Sequence, residues 1–198
     1  MHYYGSKNST VRTTEVLWGP RTQAICLCGP VRYRSARPEH NVVPMKLNLG
    51  CGDERLPEFL NVDLLPAAGV DIVADLNVSP WNFAADSVEH IRAYHVFEHL
   101  ADKAVTLNEC WRILVPGGLL EFELPTTDGW GAWSDPQHVS YWNEDVLNYV
   151  SASRNAVVYA FGKRAGLRCN FDIEHVDFFE MRPKVWCMNV RMRKVPLA

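Results

Sequence analysis

The sequence predicts an α/β fold: a three-layer sandwich around a mostly parallel, seven-stranded sheet, with an antiparallel hairpin at the C-terminus. Two observations predict it. From Met45 onward, short apolar segments alternate with helical segments, which is the pattern of a parallel sheet covered by helices. Two late apolar segments are separated only by Arg182-Pro183-Lys184, as in an antiparallel hairpin. The 198 residues suffice for one domain with a hydrophobic core and leave little for a second.

The first half of the sheet is predicted from four short apolar runs bounded by turn residues. Only ten residues separate Gly52 from Asp63, and Pro57 lies between them, so a full helix and a return strand do not fit there. We therefore predict a loop or a single turn in the first crossover. The four strands are predicted at residues 46–49, 59–63, 70–75 and 87–94.

The second half begins with a helix predicted over residues 101–114, where apolar residues recur at offsets of three and four. Pro116-Gly117-Gly118 ends this helix. A further helix is predicted over residues 143–165, with Asn143 as its N-cap and Gly166 at its end. The remaining elements are a fifth strand and the two strands of the hairpin, at residues 119–124, 169–179 and 185–195.

Residues 1–44 are predicted to be an N-terminal extension that acts as a lid or a packing arm, and residues 45–198 form the main domain. The extension is rich in Gly-Pro and X-Pro breakers and has no clear periodicity. Its first residues lack the apolar core of a secretion signal. No apolar run in the chain approaches the roughly 20 residues that cross a bilayer. We therefore expect a cytoplasmic protein without a membrane span.

The charge is distributed unevenly along the chain. Residues 1–44 carry a net charge of +4 and residues 182–198 carry +5, which leaves −12 between them out of a total of −3. Phosphate groups need lysine and arginine, so an acidic middle argues against nucleic acid as the partner and favours a small molecule. Nothing in the sequence indicates an oligomeric state.

No metal site is predicted. The six cysteines are scattered, and Cys26-Leu27-Cys28 lacks a second pair at zinc-finger spacing. The stretch from His95 to His99 matches the HxxEH zinc pattern of one class of metalloprotease. That chemistry needs both histidines on one helical face, whereas His95 ends a predicted strand. We therefore interpret the stretch without a metal ion.

The ends of the predicted strands carry the residues that point to function. Open parallel sheets bind ligands at the carboxyl edge of their strands. Gly50-Cys51-Gly52 follows the first strand, and glycines there let a ligand approach the backbone where a Cβ would collide. Asp63 closes the second strand, and Asp75-Leu76 closes the third. Three such ends on successive strands are hard to explain as solvated loops.

On these stretches the chain resembles the class I S-adenosylmethionine-dependent methyltransferases, in particular their type 11-like small-molecule group. The resemblance is carried by LNLGCG, NVD, ADL, HVFEHL and RILVPGG at residues 47–52, 61–63, 74–76, 95–100 and 112–118. It implies a Rossmann-like fold, S-adenosylmethionine as cofactor, S-adenosylhomocysteine as product, and an enzyme that methylates a small molecule. It does not identify the acceptor.

The resemblance also implies which residues contact the cofactor. The loop from Gly50 to Gly52 would receive the methionine part, Asp63 the ribose, and Asp75 with Leu76 the adenine. The residues after the fourth strand would flank the sulfonium centre. The full set of implied cofactor contacts is Asn48, Gly50, Cys51, Gly52, Asp63, Leu64, Asp75, Leu76, Tyr94, His95 and Val96.

The irregular, aromatic segment after the fifth strand is predicted to hold the acceptor. Methyl transfer to a hydroxyl needs a group that removes a proton, and histidine titrates near neutral pH. We predict His138 as this base, with Asp135 orienting its ring, and His95 as a second candidate. The acceptor pocket is predicted to be walled by Trp130, Trp133 and Tyr141.

The sequence is also compatible with other functions. One is a non-catalytic protein that binds S-adenosylmethionine or S-adenosylhomocysteine, and another is a methyltransferase of protein or nucleic acid that binds through the basic ends. A dinucleotide-dependent oxidoreductase would need the fuller GxGxxG pattern. Here Glu54 and Arg55 follow Gly52, which disfavours that function.

Overall fold

The computed structural model describes residues 45–197. The predicted N-terminal extension, residues 1–44, lies outside the described residues, together with Cys26 and Cys28. Its role as a lid or packing arm and the domain boundary at residue 45 therefore stay predictions.

Seven strands form one sheet in the order β3-β2-β1-β4-β5-β7-β6. Strands β1 to β5 run parallel, and β7 pairs antiparallel with both β5 and β6. The predicted Rossmann-like sheet with a C-terminal hairpin is confirmed. The strands are β1 Met45–Leu49, β2 Leu60–Asp63, β3 Ile72–Val73, β4 Val88–Tyr94, β5 Leu114–Pro125, β6 Phe171–Arg182 and β7 Val185–Lys194.

The helices lie in the connections after β4 and after β5. They are a 3-10 turn Phe97–His99, then α1 Lys103–Ile113, α2 Gly131–Ser134, α3 Val146–Val150 and α4 Ala156–Arg164. As predicted, the first crossover contains no helix, since residues 50–59 form turns, a bend and segments without regular secondary structure. None of the helices within residues 45–197 is long and apolar enough to cross a membrane.

The single helix predicted over residues 143–165 is wrong, because the chain forms α3 and α4 with a break between them. Ser151 is responsible for part of the break, since its hydroxyl accepts a hydrogen bond from the backbone N–H of Arg154 and competes with helical bonding. The N-cap of α4 is Asn155, whose side-chain oxygen accepts from Val158 N at 3.1 Å. Asn143 caps neither helix. Gly166, with a φ of +99°, follows the end of α4 as predicted.

Strand β5 begins at Leu114, five residues earlier than predicted, and includes the Pro-Gly-Gly segment. The pairing with β4 shifts there, from Val88 opposite Leu114 to His90 opposite Leu119. The extra residues bulge out of the ladder, which Gly117 permits with a φ of +78°. The helix α1 therefore ends just before the Pro-Gly-Gly segment, as predicted, but this segment is part of β5 rather than a loop.

The hydrophobic core lies on one face of the sheet. Side chains alternate along β4 and β5, so that Ile91 and Phe122 are fully buried in a core that also includes apolar residues of α1 and α3. The opposite face carries polar side chains, of which Glu121 accepts from the Tyr94 hydroxyl at 2.6 Å and lies 3.2 Å from His90 Nε2. Within the described residues, the connections from β1 to β4 contain no helix that covers this face.

Candidate functional site

The loop after β1 closes onto the end of β2. The backbone N–H of Cys51 donates to the Val62 carbonyl at 3.0 Å, and that of Gly52 donates to Asp63 Oδ2 at 2.9 Å. The other oxygen of Asp63 accepts from Leu65 N at 3.1 Å. Burial, and then the charge of Asp63, raise the pKa of the Cys51 thiol, which makes it a poor nucleophile. The geometry thus joins two predicted cofactor-binding segments at the carboxyl edge of the sheet.

The two glycines of this loop have different roles. Both have a left-handed φ, +58° at Gly50 and +48° at Gly52. A Cβ on Gly50 would lie 2.4 Å from Val96 Cγ2, so Gly50 is needed for packing within the protein rather than for ligand approach. A Cβ on Gly52 would meet no heavy atom within 4 Å. The backbone is therefore open to a ligand at Gly52, and Val96 connects the loops after β1 and β4.

The loop after β1 is not followed by a helix, and a network of side-chain hydrogen bonds holds it in position. Asn48, which is 1% exposed, donates to the Glu54 carbonyl at 2.7 Å and to Asn61 Oδ1 at 3.0 Å. Arg92 donates to Asn48 Oδ1 at 3.1 Å and pairs with Glu54 at 2.9 Å. The side chain of Asn48 therefore binds protein groups, and we expect its effect on a cofactor to act through the shape of the loop.

The strand-end residues predicted to contact ribose and adenine differ in exposure. Leu64 is 60% exposed, and Asp75 is exposed with one oxygen accepting from Asn77 N at 2.9 Å. Leu76 is only 8% exposed and belongs to the core, where its carbonyl accepts from Trp81 Nε1 at 3.0 Å. Asp75 and Leu64 are thus accessible to a ligand, whereas most of the Leu76 side chain is committed to the core.

His95 follows β4 and is held between two carboxylates. Its Nε2 lies 3.3 Å from Glu123 Oε1 and its Nδ1 lies 3.4 Å from Glu98 Oε1. The hydrogen bond to Glu123, followed by that to Glu98, raises the pKa of His95 to about 9 against the opposing effect of burial. The ring is therefore charged at neutral pH. His95 also has a φ of +55°, an uncommon value for a residue other than glycine that recurs at functional sites.

The neighbouring Tyr94 faces the polar side of the sheet. Its hydroxyl donates to Glu121 and accepts from Asn189 at 3.1 Å, and the guanidinium of Arg92 lies 3.7 Å from its ring centroid. Because these contacts occupy the phenol, the backbone is the part of Tyr94 that remains for its predicted contact with a cofactor.

The segment after β5 is fastened to the 3-10 turn after β4. The backbone N–H groups of Val139 and Ser140 donate to the Glu98 carbonyl at 2.9 and 3.0 Å. The Ser140 hydroxyl donates to the Phe97 carbonyl at 2.8 Å. These bonds bring His138 beside His99, with 5.0 Å between their ring centroids. The predicted acceptor segment therefore lies against the end of β4.

The His138 ring is oriented by a backbone carbonyl. Its Nδ1 donates to the Ala132 carbonyl at 3.1 Å, which leaves the Nε2 lone pair available. Asp135 Oδ2 lies 3.9 Å from Nε2, beyond hydrogen-bond distance, and Asp135 Oδ1 accepts from Gln137 N instead. The carbonyl of Ala132, rather than the predicted carboxylate of Asp135, therefore orients the His138 ring.

Exposed aromatic residues surround this segment. Trp133 and Tyr141 stack with ring centroids 4.4 Å apart, and they are 58% and 41% exposed. Trp130 is 66% exposed, with the Lys184 ammonium 4.2 Å from its ring centroid. Aromatic surface exposed to this degree is suited to packing against a flat or apolar ligand. The role of these residues as pocket walls stays a prediction.

Three residues that were not predicted to contact the cofactor or the acceptor lie among the predicted site residues in the structure: Glu98, Glu123 and Arg92. Arg92 and Glu123 alternate with fully buried residues such as Ala93 and Phe122. This alternation could have identified them from the sequence, because polar residues at every second position of a central strand need polar partners on their own face of the sheet.

Comparisons with known proteins agree with this fold. Residues 28–159 match a family model described as a methyltransferase domain. No curated protein matches the sequence.

The solved structures that are similar to the chain include three methyltransferases. A SAM-dependent methyltransferase from Archaeoglobus fulgidus has a TM-score of 0.52 at 14% identity, over 76% of this chain and 86% of that one. One from Methanosarcina mazei has a TM-score of 0.51 at 13% identity, over 77% and 93%. The 1,6-didemethyltoxoflavin-N1-methyltransferase of Burkholderia thailandensis, solved with S-adenosylhomocysteine, has a TM-score of 0.50 at 14% identity, over 77% and 72%. At these identities the likeness shows the shared fold.

Proposed function

The chain belongs to the methyltransferase domain family, and on that premise we propose that it transfers a methyl group from S-adenosylmethionine to a small-molecule acceptor. The observation that carries the proposal is the closure of the Gly50–Gly52 loop onto Asp63. This contact creates an exposed backbone turn and a half-buried carboxylate at the edge where parallel sheets bind ligands.

The residues at this edge fit the cofactor. Asp63 Oδ1 accepts one hydrogen bond from the protein, and Oδ2 accepts one from Gly52 N and a long one, at 4.0 Å, from the Cys51 thiol. Acceptor capacity therefore remains for the hydroxyls of a ribose. Gly52 leaves open space above the loop for the methionine part, and the exposed carboxylate of Asp75 can accept from the adenine amino group. When bound, S-adenosylmethionine supplies an electrophilic methyl group on its sulfonium sulfur.

The charges after β4 favour a cation at this position. His95 is charged at neutral pH, but it is flanked by the two carboxylates of Glu98 and Glu123. Together the two carboxylates outweigh the charge of His95, and as long as no cation occupies Glu98 this net negative charge stabilises a nearby sulfonium. A charged His95 has no lone pair for proton removal, so we assign it the role of holding the two acids in place rather than that of a general base.

On the acceptor side, we assign proton removal from a hydroxyl acceptor to His138. Its Nε2 lone pair faces away from the Ala132 carbonyl that fixes the ring. Trp130, Trp133 and Tyr141 would hold the acceptor in line with the methyl group and exclude water from it. The net charge of −12 between residues 45 and 181 favours a neutral or cationic acceptor over a phosphorylated one.

The proposal is tested by following an isotopically labelled methyl group. The protein is incubated with methyl-labelled S-adenosylmethionine and a cell extract, which is then separated into dialysable small molecules, protein and RNA. We expect label in the dialysable fraction, and loss of that label with the Asp63→Ala variant. Label in RNA or protein would contradict a small-molecule acceptor. No transfer to any fraction, by a protein that binds S-adenosylhomocysteine, would favour a non-catalytic binding protein.

A further inference from the structure

We propose that Glu98, His99 and His138 bind a divalent transition-metal ion on the acceptor side of the site. One potential ligand atom from each of the three residues lies within 4.8 Å of the other two. Metal–ligand bonds of about 2.0–2.2 Å place ligand atoms roughly 3–3.5 Å apart, so small side-chain rotations close this cluster around an ion.

The carboxylate of Glu98 provides the second, independent observation. The residue is 2% exposed, and its Oε2 is fully buried without a hydrogen-bond partner among the described residues. Its Oε1 is the oxygen that faces His95, at 3.4 Å. A buried carboxylate oxygen without a donor carries a desolvation cost that a bound cation removes. Glu98 is therefore the residue whose surroundings call for a positive ligand.

A backbone carbonyl fixes the tautomer of each of the two imidazoles. His99 Nδ1 donates to the Gln137 carbonyl at 3.2 Å, and His138 Nδ1 donates to the Ala132 carbonyl at 3.1 Å. A carbonyl only accepts, so in each neutral ring the proton is on Nδ1 and the lone pair is on Nε2. Metal-binding histidines commonly make this hydrogen bond, which fixes the tautomer and the plane of the ring.

The backbone holds the three residues together before any ion binds. Glu98 and His99 belong to the 3-10 turn after β4, and His138 belongs to the segment after β5. The turn and the segment are joined by the bonds from Val139 and Ser140 to the Glu98 carbonyl. An ion bound here would therefore lose little free energy to ordering the chain.

The proposed metal ligands differ from those of the HxxEH metalloprotease pattern that the sequence contains. That pattern requires His95 and His99 as ligands and Glu98 as a base. In the structure His95 pairs with Glu123 and Glu98 instead, and His138 takes its place beside His99. The metal-binding histidine missing from the local motif is thus supplied by a residue 39 positions further along the chain than His99.

Two histidines and one carboxylate leave coordination positions open, which suits an ion that also binds water or substrate. If the proposed methyl transfer is correct, an acceptor hydroxyl bound to the ion would release its proton to solvent water more easily, because the cation stabilises the alkoxide that would then attack the methyl group. His138 Nε2 would then serve as a ligand, and the ion would replace it in assisting proton removal. This use depends on the proposed function, whereas ion binding itself does not.

The test is calorimetric titration of the tag-free, metal-free chain with MnCl₂ and with ZnCl₂, in the absence of S-adenosylmethionine. We expect one ion to bind per chain. Glu98→Gln and His138→Asn should each weaken binding at least tenfold, since each removes one of three protein ligands. The control is His175→Asn, because His175 is an exposed histidine on the edge strand β6 and should bind like the wild type.

Cobalt provides a second measurement that a purely structural role would not affect. Co²⁺ bound through imidazole nitrogens gives visible absorption bands, which His99→Asn should shift or abolish while circular dichroism shows an intact fold. Absence of binding by the folded protein for all three ions would overturn the proposal. Binding that is unchanged in both Glu98→Gln and His138→Asn would also overturn it. Separate titration with S-adenosylhomocysteine shows whether the methyltransferase proposal stands independently.

Discussion

The backbone N–H of Gly52 donates to the carboxylate of Asp63 at 2.9 Å, so that the carboxylate proposed to bind ribose also anchors the loop proposed to receive methionine. This relationship affects how Asp63 variants must be interpreted. Asp63→Ala removes both the ligand contact and the anchor of the loop. Asp63→Asn keeps an acceptor oxygen for the Gly52 N–H but removes the charge, and it therefore separates the two roles.

We expect Gly50→Ala to destabilise the protein by about 2–5 kcal/mol. The left-handed φ of +58° costs roughly 1–2 kcal/mol with a Cβ, and the overlap with Val96 costs roughly 1–3 kcal/mol more. Urea denaturation followed by circular dichroism measures the change. The control is Gly117→Ala, which has a similar φ of +78° but no heavy atom within 4 Å of the added Cβ. Equal losses at Gly50 and Gly117 would show that the contact with Val96 does not matter.

The pair Glu109–Arg112 gives a prediction for pH. Burial by itself would raise the pKa of Glu109, but hydrogen bonds from Arg112 and from Trp81 N outweigh it and lower the pKa below its usual value of 4.5. Since the pKa is lower in the folded state, the pair stabilises the protein above about pH 4.5 and stops doing so as the pH falls through the folded-state value.

We therefore expect Glu109→Gln to cost about 1–2 kcal/mol at neutral pH, with a difference from the wild type that shrinks on acidification below pH 4.5. Thermal unfolding over a series of pH values measures it. A difference that stays constant from neutral pH into the acid range would contradict the lowered pKa.

The caps of the helices after β5 provide a comparison between the sequence-based and the observed boundaries. Asn155→Ala should destabilise the protein by about 1 kcal/mol, because it removes the acceptor for Val158 N at the start of α4. Asn143→Ala should have less than about 0.5 kcal/mol of effect, because Asn143 caps neither α3 nor α4. Denaturation midpoints of the two variants, measured side by side, decide the matter. A larger destabilisation by Asn143→Ala than by Asn155→Ala would instead support the single helix that the sequence predicted, with Asn143 as its N-cap.

The aromatic residues after β5 should affect the acceptor and not the cofactor. Trp133→Ala removes one ring of the stacked pair with Tyr141 and should raise the KM for the acceptor roughly tenfold, a loss of about 1.4 kcal/mol. S-adenosylhomocysteine affinity should be unchanged. Phe161→Ala is a matched control, because Phe161 is exposed on α4. If cofactor affinity falls in Trp133→Ala but not in Phe161→Ala, Trp133 contacts the cofactor, and its assignment to the acceptor pocket is contradicted.

Much of the fold and of the cofactor edge could be predicted from the sequence, because local patterns determine them. Apolar runs ending in Gly50 and Asp63 mark strand ends, and the short spacing with Pro57 excluded a helix between them. The antiparallel hairpin around Pro183 also followed from local turn chemistry. Each of these features depends on residues close together in the chain.

The remaining features depend on contacts between distant segments. Periodicity alone did not reveal that the Ser151 hydroxyl would interrupt the predicted helix. The approach of His138 to His99 comes from backbone hydrogen bonds between two loops, which leave no pattern in either segment. Leu76 is likewise buried beside Trp81, whose indole N–H donates to the Leu76 carbonyl and which lies outside the ADL motif.

The most direct test of the central claim is calorimetric titration of the full chain with S-adenosylhomocysteine, with NADH as a ligand that should not bind. We predict micromolar binding that is lost in Asp63→Ala, strongly weakened in Asp63→Asn, and unchanged in Asp177→Ala, which alters an exposed acid on β6. The Asp63 variants must be shown to be folded by circular dichroism. No binding by the folded wild type, or equal binding by wild type and Asp63→Ala, would contradict the assignment of the cofactor to this edge.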